Sequence, residues 1–354
     1  MNQAKIHFIQ PQLSHISGGS IYNLEIVKRL EQSARGKGFF HSLNSPVTEL
    51  FEYFNTLPDS CIFILDGLYL ANSEFKASLQ QFLPYTQRTY LMLHYLESMN
   101  TYYSSQEKEA LWNGEKQWLK AMQGIIIPSF QLRDYLSNHG VENHKIAVAF
   151  PGIAKAQEDR LSKPKKNDLN RPIKLIAVGT ICQRKGQLEL VQMLTQIKIK
   201  NFILHLVGDY EQESSYTQQI VSLIKVASME DSIILHGGIP QQTLFNLLPE
   251  CALYLSSSTY ETYSMATAEA VVHGLPILAY ATGAIGDWIE NNVNGILIEL
   301  GKQEQFSWWL RRLLTHDTEL NQLQKKALHR SANLSFKSWD KTYQDFLLAF
   351  TNGI

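Results

Sequence analysis

The chain of 354 residues carries 32 Lys+Arg against 33 Asp+Glu, a formal net charge of −1, so no global field recruits nucleic acid or an anionic membrane surface and any anion has to be caught by a local site. Its length suits two cores better than one. Cys61, Cys182 and Cys251 are scattered, odd in number and without metal-ligand spacing, and the start MNQAKIHFIQP has no basic, long apolar leader; with no apolar run of bilayer length, these features exclude a disulfide framework and a spanning helix and give a cytoplasmic expectation.

In chain order, residues 5–10 (KIHFIQ) read as a strand and residues 11–20 as a loop holding Gly18 and Gly19, ahead of an amphipathic helix from about Ile21 to Leu30. A strand, a Gly-Gly loop and a helix let backbone approach a ligand closely, although a tight turn has the same signature. Further strands are expected at 61–65 (CIFIL), 89–93 (TYLML), 124–127 and 145–150, with helical stretches between them. Alternation of this kind makes a parallel sheet covered on both faces, with ligands at the carboxyl ends of the strands. His94 directly follows TYLML at such an end; Asp66 follows CIFIL, where an acidic residue commonly caps the next turn. Between Tyr95 and Lys120, the rings of Tyr102, Tyr103, Trp112 and Trp118 offer stacking faces for a sugar, but at helical spacing Trp112 and Trp118 read as core.

Residues 154–172 are charged, Pro-containing and poor in apolar side chains, which is linker composition; the basic group Lys163, Lys165 and Lys166 reads as solvated linker charge rather than a lipid contact. IKLIAV at 173–178 opens a second alternating unit, followed by GTICQRKG, in which Lys185 stands just before Gly186 and a helix, within reach of a phosphate at the strand ends. Strands follow at 202–207 (FILHLV) and 232–235 (SIIL), with Gly208, Gly237 and Gly238 in the turns after them. The run TYETYSMATAEAVVHGLP, from Thr259, then sets Glu261 in a loop after an apolar strand and Glu269, with seven residues between them, inside a helix over 265–273. Ser264 is placed to cap that helix, whose first N–H groups, from Tyr263 to Ala266 by way of Met265, favour an anion such as a diphosphate. The carboxylates can accept hydrogen bonds from sugar or ribose hydroxyls, or can be merely two solvated carboxylates. Near the end, FSWWLRRLL is an amphipathic helix whose Trp308, Trp309, Arg311 and Arg312 suit packing with a basic edge better than a membrane interface, and 336–350 is helical and aromatic.

The stretch from Thr259 through GLPILAYATGAIGDWIENNVNGILIEL resembles the donor-binding signature of the retaining glycosyltransferases of glycosyltransferase family 4. The resemblance implies an α/β fold of two Rossmann-like domains facing across a cleft, the GT-B fold. Residues 1–155 would be the acceptor-side domain, with a C-terminal helix of about 337–354 packed back on it, 156–172 the linker, and 173–336 the donor domain. It implies sugar transfer from a nucleoside diphosphate sugar, UDP-sugar favoured, to an acceptor hydroxyl of a glycan, lipid or small molecule, as a hexosyltransferase that needs no metal and no cofactor. Glu261 and His94 would lie beside the sugar, Glu269 on the ribose and Lys185 on the diphosphate, while Gly18 and Gly19 would close over the phosphates. Gly238 and Ile239, in HGGIP, would border the base. The departures are Ser264 and Ala284, where the family has Gly, and Thr180 after Gly179, where an Arg is common; Arg184 is the substitute expected to supply that charge. Two other readings share the fold: a nucleotide-sugar epimerase, and a non-catalytic nucleotide-sugar-binding subunit. At most a peripheral contact with the inner face of the membrane is expected.

Overall fold

The computed structural model describes residues 5–12, 17–42, 45–154 and 172–350. By their contacts, 5–12, 19–152 and 337–350 form one unit, and 17–18, 153–154 and 172–336 form the other, so the boundary falls between Gly18 and Gly19. The expected linker and its three lysines lie outside the described residues, apart from its last position.

The first unit is a parallel sheet of β1 (Ile6–Pro11), β2 (Gly36–His41), β3 (Ile62–Asp66), β4 (Thr89–Met92), β5 (Gly124–Ile127) and β6 (Ile146–Val148), in the order β2-β1-β3-β4-β5-β6. β2 is missing from the sequence reading. GKGFFH has no apolar alternation, only His41 of it is buried, and it sits at a sheet edge. The helix that follows β1 runs Gly18–Gln32, three residues earlier than its pattern suggests, so Gly18 and Gly19 are its first turn rather than a loop. Neither needs a left-handed conformation. Gly19 is required to be small, because a Cβ there would stand 3.0 Å from the His94 ring. The helix Trp339–Leu348 belongs to this unit: Tyr343 and Phe346 join Ile6, Phe8 and Tyr22 in its core, and Thr342 Oγ1 donates to the Phe150 carbonyl at 2.8 Å. Trp118 is fully buried and stacks on Phe75 at 4.5 Å, whereas Trp112 is only half-buried, against Tyr135 and His139, and is not core.

The second unit is also parallel: β7 (Ile173–Val178), β8 (Phe202–Val207), β9 (Ile233–Gly237), β10 (Leu253–Ser256), β11 (Ile277–Tyr280) and β12 (Gly295–Ile298), in the order β12-β11-β10-β7-β8-β9. Short Val/Ile/Leu runs form these strands because both sheet faces are covered by helices; Leu175, Leu204, Leu253 and Leu278 are fully buried. Strand order reverses between β7 and β10, and in the first unit between β1 and β3. In open α/β sheets ligands bind outside the carboxyl ends of the strands at such a switch point. On the helix Gln303–Thr315, Trp308 is about half exposed under the Arg312 guanidinium (5.0 Å), while Trp309 packs against the core. Among the described residues, no helix is long and apolar enough to cross a membrane.

Candidate functional site

In the second unit the loops after β7 and β10 meet at the switch point and are laced together. Thr259 N donates to the Arg184 carbonyl (2.8 Å), Ser257 Oγ to the Lys185 carbonyl (3.0 Å), and the Arg184 guanidinium to the Tyr260 carbonyl (3.0 Å). Gly186 makes this possible. It adopts φ +68°, and a Cβ would lie 2.3 Å from the Ser257 carbonyl oxygen. Lys185 Nζ bonds Glu261 Oε1 at 2.5 Å, and the Arg184 guanidinium stands 3.8 Å from Glu261 Oε2. Burial pushes the Glu261 carboxyl up, but the Lys185 and Arg184 cations and hydrogen bonds from Lys185 and Ser258 outweigh it and hold it below the usual range. Glu261 is therefore a buried, ionised acceptor. Gly179 leaves room for the lysine stem: its Cβ position is 3.1 Å from Lys185 Cε. Thr180 is half-buried, and its carbonyl accepts from Gln187 Nε2 at 3.0 Å.

The helix Met265–Val272 opens beside this cluster. Ser264 stands at its N-cap in the left-handed conformation (φ 68°, ψ 66°), which accounts for the usual glycine there. Its hydroxyl does not cap the helix as the sequence suggests. It pairs with Thr267 Oγ1 at 2.7 Å, because a left-handed N-cap turns the side chain away from the helix N–H groups. Tyr263 is buried against Trp288 (4.6 Å), while Met265 and Ala266 are half-buried in the first turn. Glu269 is buried inside the helix, and burial pushes its carboxyl up to about 7 against the single hydrogen bond from Gln241 Nε2 (3.3 Å). The two glutamates thus differ in character: Glu261 is pinned ionised, and Glu269 titrates near neutrality.

Gly238 and Ile239 follow β9 at the far edge of the sheet, with β7 and β8 between it and β10. A Cβ at Gly238 would lie 1.9 Å from Asp209 Oδ1, so the loop is held against the turn after β8 and reaches Glu269 through Gln241. Gln241 was not read from the sequence; its place directly after HGGIP was the available signal. Gly283 was also passed over. It has φ +52° and backs the Glu261 carbonyl so closely that a Cβ would overlap it at 1.4 Å.

In the first unit, His94 follows β4, half-buried, with its ring edge-on to Tyr22 (centroids 5.1 Å apart). Its Nε2 donates to Asn23 Oδ1 at 2.7 Å, and Asn23 Nδ2 donates to Asp66 Oδ2 at 2.6 Å. Burial lowers the His94 pKa to about 4 and raises that of Asp66 to about 7. Asp66 also caps the next turn, accepting from Leu68 N at 2.9 Å. Asn23, one turn into the first helix, gave no sequence signal. Among the described residues, no group of three or more His, Cys, Asp or Glu is arranged to hold a metal ion.

Residues 159–330, just under half of the chain, match the family model for glycosyl transferases group 1. The amylovoran biosynthesis glycosyltransferase AmsK of Erwinia amylovora is 24% identical over 204 residues, 55% of this chain and 48% of that protein. The chain spans about half the length of the curated relatives it matches. Among solved structures, sucrose-phosphate synthase from Thermosynechococcus elongatus superposes with a TM-score of 0.76 at 17% identity, covering 98% of each chain. Anabaena HepE, solved in complex with UDP and glucose, superposes with a TM-score of 0.72 at 16% identity, covering 98% of this chain and 99% of its own. The fold is that of these GT-B proteins.

Proposed function

We propose that the protein transfers a sugar from a nucleoside diphosphate sugar, a UDP-sugar in the first instance, to an acceptor hydroxyl with retention at the anomeric carbon. The observation that carries this reading is the cluster at the switch point of the second sheet, where buried Glu261 pairs with Lys185 and Arg184 just ahead of a helix that holds a second buried glutamate, Glu269, of opposite titration character. As the bond from the anomeric carbon to the diphosphate breaks, positive charge spreads over the sugar ring and negative charge collects on the leaving diphosphate. Lys185 has three N–H donors, so it can keep Glu261 and still meet a phosphate oxygen. Arg184 and the helix N–H groups from Tyr263 to Ala266 add preorganised positive potential where the charge collects. Glu261 accepts from a sugar hydroxyl and Glu269 from the ribose. His94 is given the sugar contact that the resemblance implies for it. The binding of UDP or glucose by solved relatives such as HepE supports the choice of donor.

A thermal-shift panel of UDP, GDP, ADP and their sugar conjugates tests this against Glu269→Ala. A ligand that binds only the folded state raises the melting temperature by mass action. One nucleotide series should stabilise the wild type and not the variant; equal shifts in both would remove Glu269 from the site. Conversion of the donor without any acceptor would instead identify an epimerase.

A further inference from the structure

The hydrogen bonds behind His94 form a directed chain. Above about pH 7, the value to which burial raises its pKa, the Asp66 carboxylate is ionised and can only accept, so the Asn23 group facing Asp66 Oδ2 at 2.6 Å is the amide NH2. That places the amide oxygen toward His94, and Nε2, at 2.7 Å from it, must carry the proton. Asp66 cannot turn to escape this, because its other oxygen accepts from Leu68 N at 2.9 Å. Asn23 is fully buried and Asp66 2% exposed, so no solvent competes for either group. The ring is also held in place, edge-on to Tyr22 and against Gly19, where any Cβ would stand 3.0–3.1 Å from its carbons. Among the described residues no hydrogen bond reaches His94 Nδ1.

We infer that Asn23 and Asp66 are positioning residues that fix His94 as its Nε2–H tautomer, leaving Nδ1 as a hydrogen-bond acceptor for a ligand hydroxyl. Resting on the function proposed above, the inference assigns His94 a direction: it recognises an O–H and offers no N–H outward. Burial supports this by keeping the imidazole neutral. Asp66 acts through Asn23, reversing the amide and with it the imidazole.

The test is Asp66→Asn, an isosteric change. Leu68 N still requires an oxygen, so the new amide presents its NH2 to Asn23. The Asn23 amide must then turn over, its NH2 faces Nε2, and the proton moves to Nδ1. The combined variant Asp66→Asn with Asn23→Asp exchanges the two groups across one hydrogen bond and restores the Nε2–H form. Long-range 1H–15N spectra of 15N-histidine-labelled protein at pH 8 report the tautomer directly, with His94→Gln identifying the resonance among the 11 histidines.

Expected are Nε2–H in the wild type, Nδ1–H in Asp66→Asn and Nε2–H again in the exchanged pair. UDP release from UDP-glucose should fall about tenfold or more in kcat in the single variant, with UDP affinity unchanged, and recover in the pair. An unswitched tautomer in folded Asp66→Asn, or a switch that leaves kcat unchanged, overturns the inference. Should Asp66→Asn not fold, the exchanged pair carries the test, and Nδ1–H in that variant overturns it. Failure of the proposed function has a different signature: no form binds UDP while the tautomer still switches.

Discussion

Glu269→Gln separates the cost of burying this carboxylate from its use. Burial moves the group from an ordinary 4.5 to about 7. Below pH 4.5 folded and unfolded chains both hold the proton. Between there and about 7 the folded chain keeps a proton that the unfolded chain has lost, so the folded state binds more protons and stability falls as pH rises. At 1.36 kcal/mol per pH unit, the accumulated cost above pH 7 is about 3 kcal/mol. Glutamine does not titrate, so the variant should gain on the wild type as pH rises from 5 to 8, and the gain should level off above 7. Its oxygen can still accept from Gln241, while its new buried NH2 costs about 1–3 kcal/mol if unpaired. The change in the difference with pH is therefore the measure, not its value at one pH. Urea melts of both proteins at half-unit steps read it, beside UDP titrations at the same pH. UDP should bind the wild type more tightly as the carboxylate ionises and the variant weakly at every pH. A stability difference that stays flat from pH 5 to 8 would refute burial as the cause of the shift.

Lys185→Ala leaves Glu261 buried with only Arg184, at 3.8 Å, to meet its charge; breaking a buried pair from one side should cost about 3–5 kcal/mol at pH 8. Because Glu261 titrates low in the fold, that loss should shrink as pH falls through its folded pKa, and Lys185→Met with Glu261→Gln should recover most of it in urea melts. His94→Ala should lower turnover of UDP-glucose about 100-fold or more while sparing UDP binding, which calorimetry checks; a lost UDP signal would place His94 on the nucleotide instead. Gly283→Ala has no room at φ +52°, with the Glu261 carbonyl 1.4 Å from its Cβ, and should lower the melting temperature and UDP affinity together. An unchanged melting temperature would mean the Glu261 loop yields freely.

Much was legible in the linear sequence because local chemistry set it. IKLIAV and FILHLV became β7 and β8 at the bounds expected, since short runs of strand length that are apolar but for one residue each, Lys174 and His205, suit a parallel sheet covered on both faces. Lys185, Glu261 and Glu269 stood out because each lies in the loop or helix that follows a recognisable strand. The edge strand β2 was not legible, since GKGFFH is buried only at its last residue and has no face to declare.

What the sequence by itself determined is the set of elements and the placing of polar residues at strand ends, because both follow from periodicity and turn chemistry within a few residues of each site. Tertiary structure alone decided the pairings. Strand order brought Lys185 onto Glu261 across 76 positions, set Gly283 against the Glu261 carbonyl, and joined Asp66, Asn23 and His94 across 71 positions. These pairings, through burial and Coulomb interaction, hold the Glu261 carboxyl below its usual range and raise that of Glu269 to about 7, and no local pattern encodes that difference.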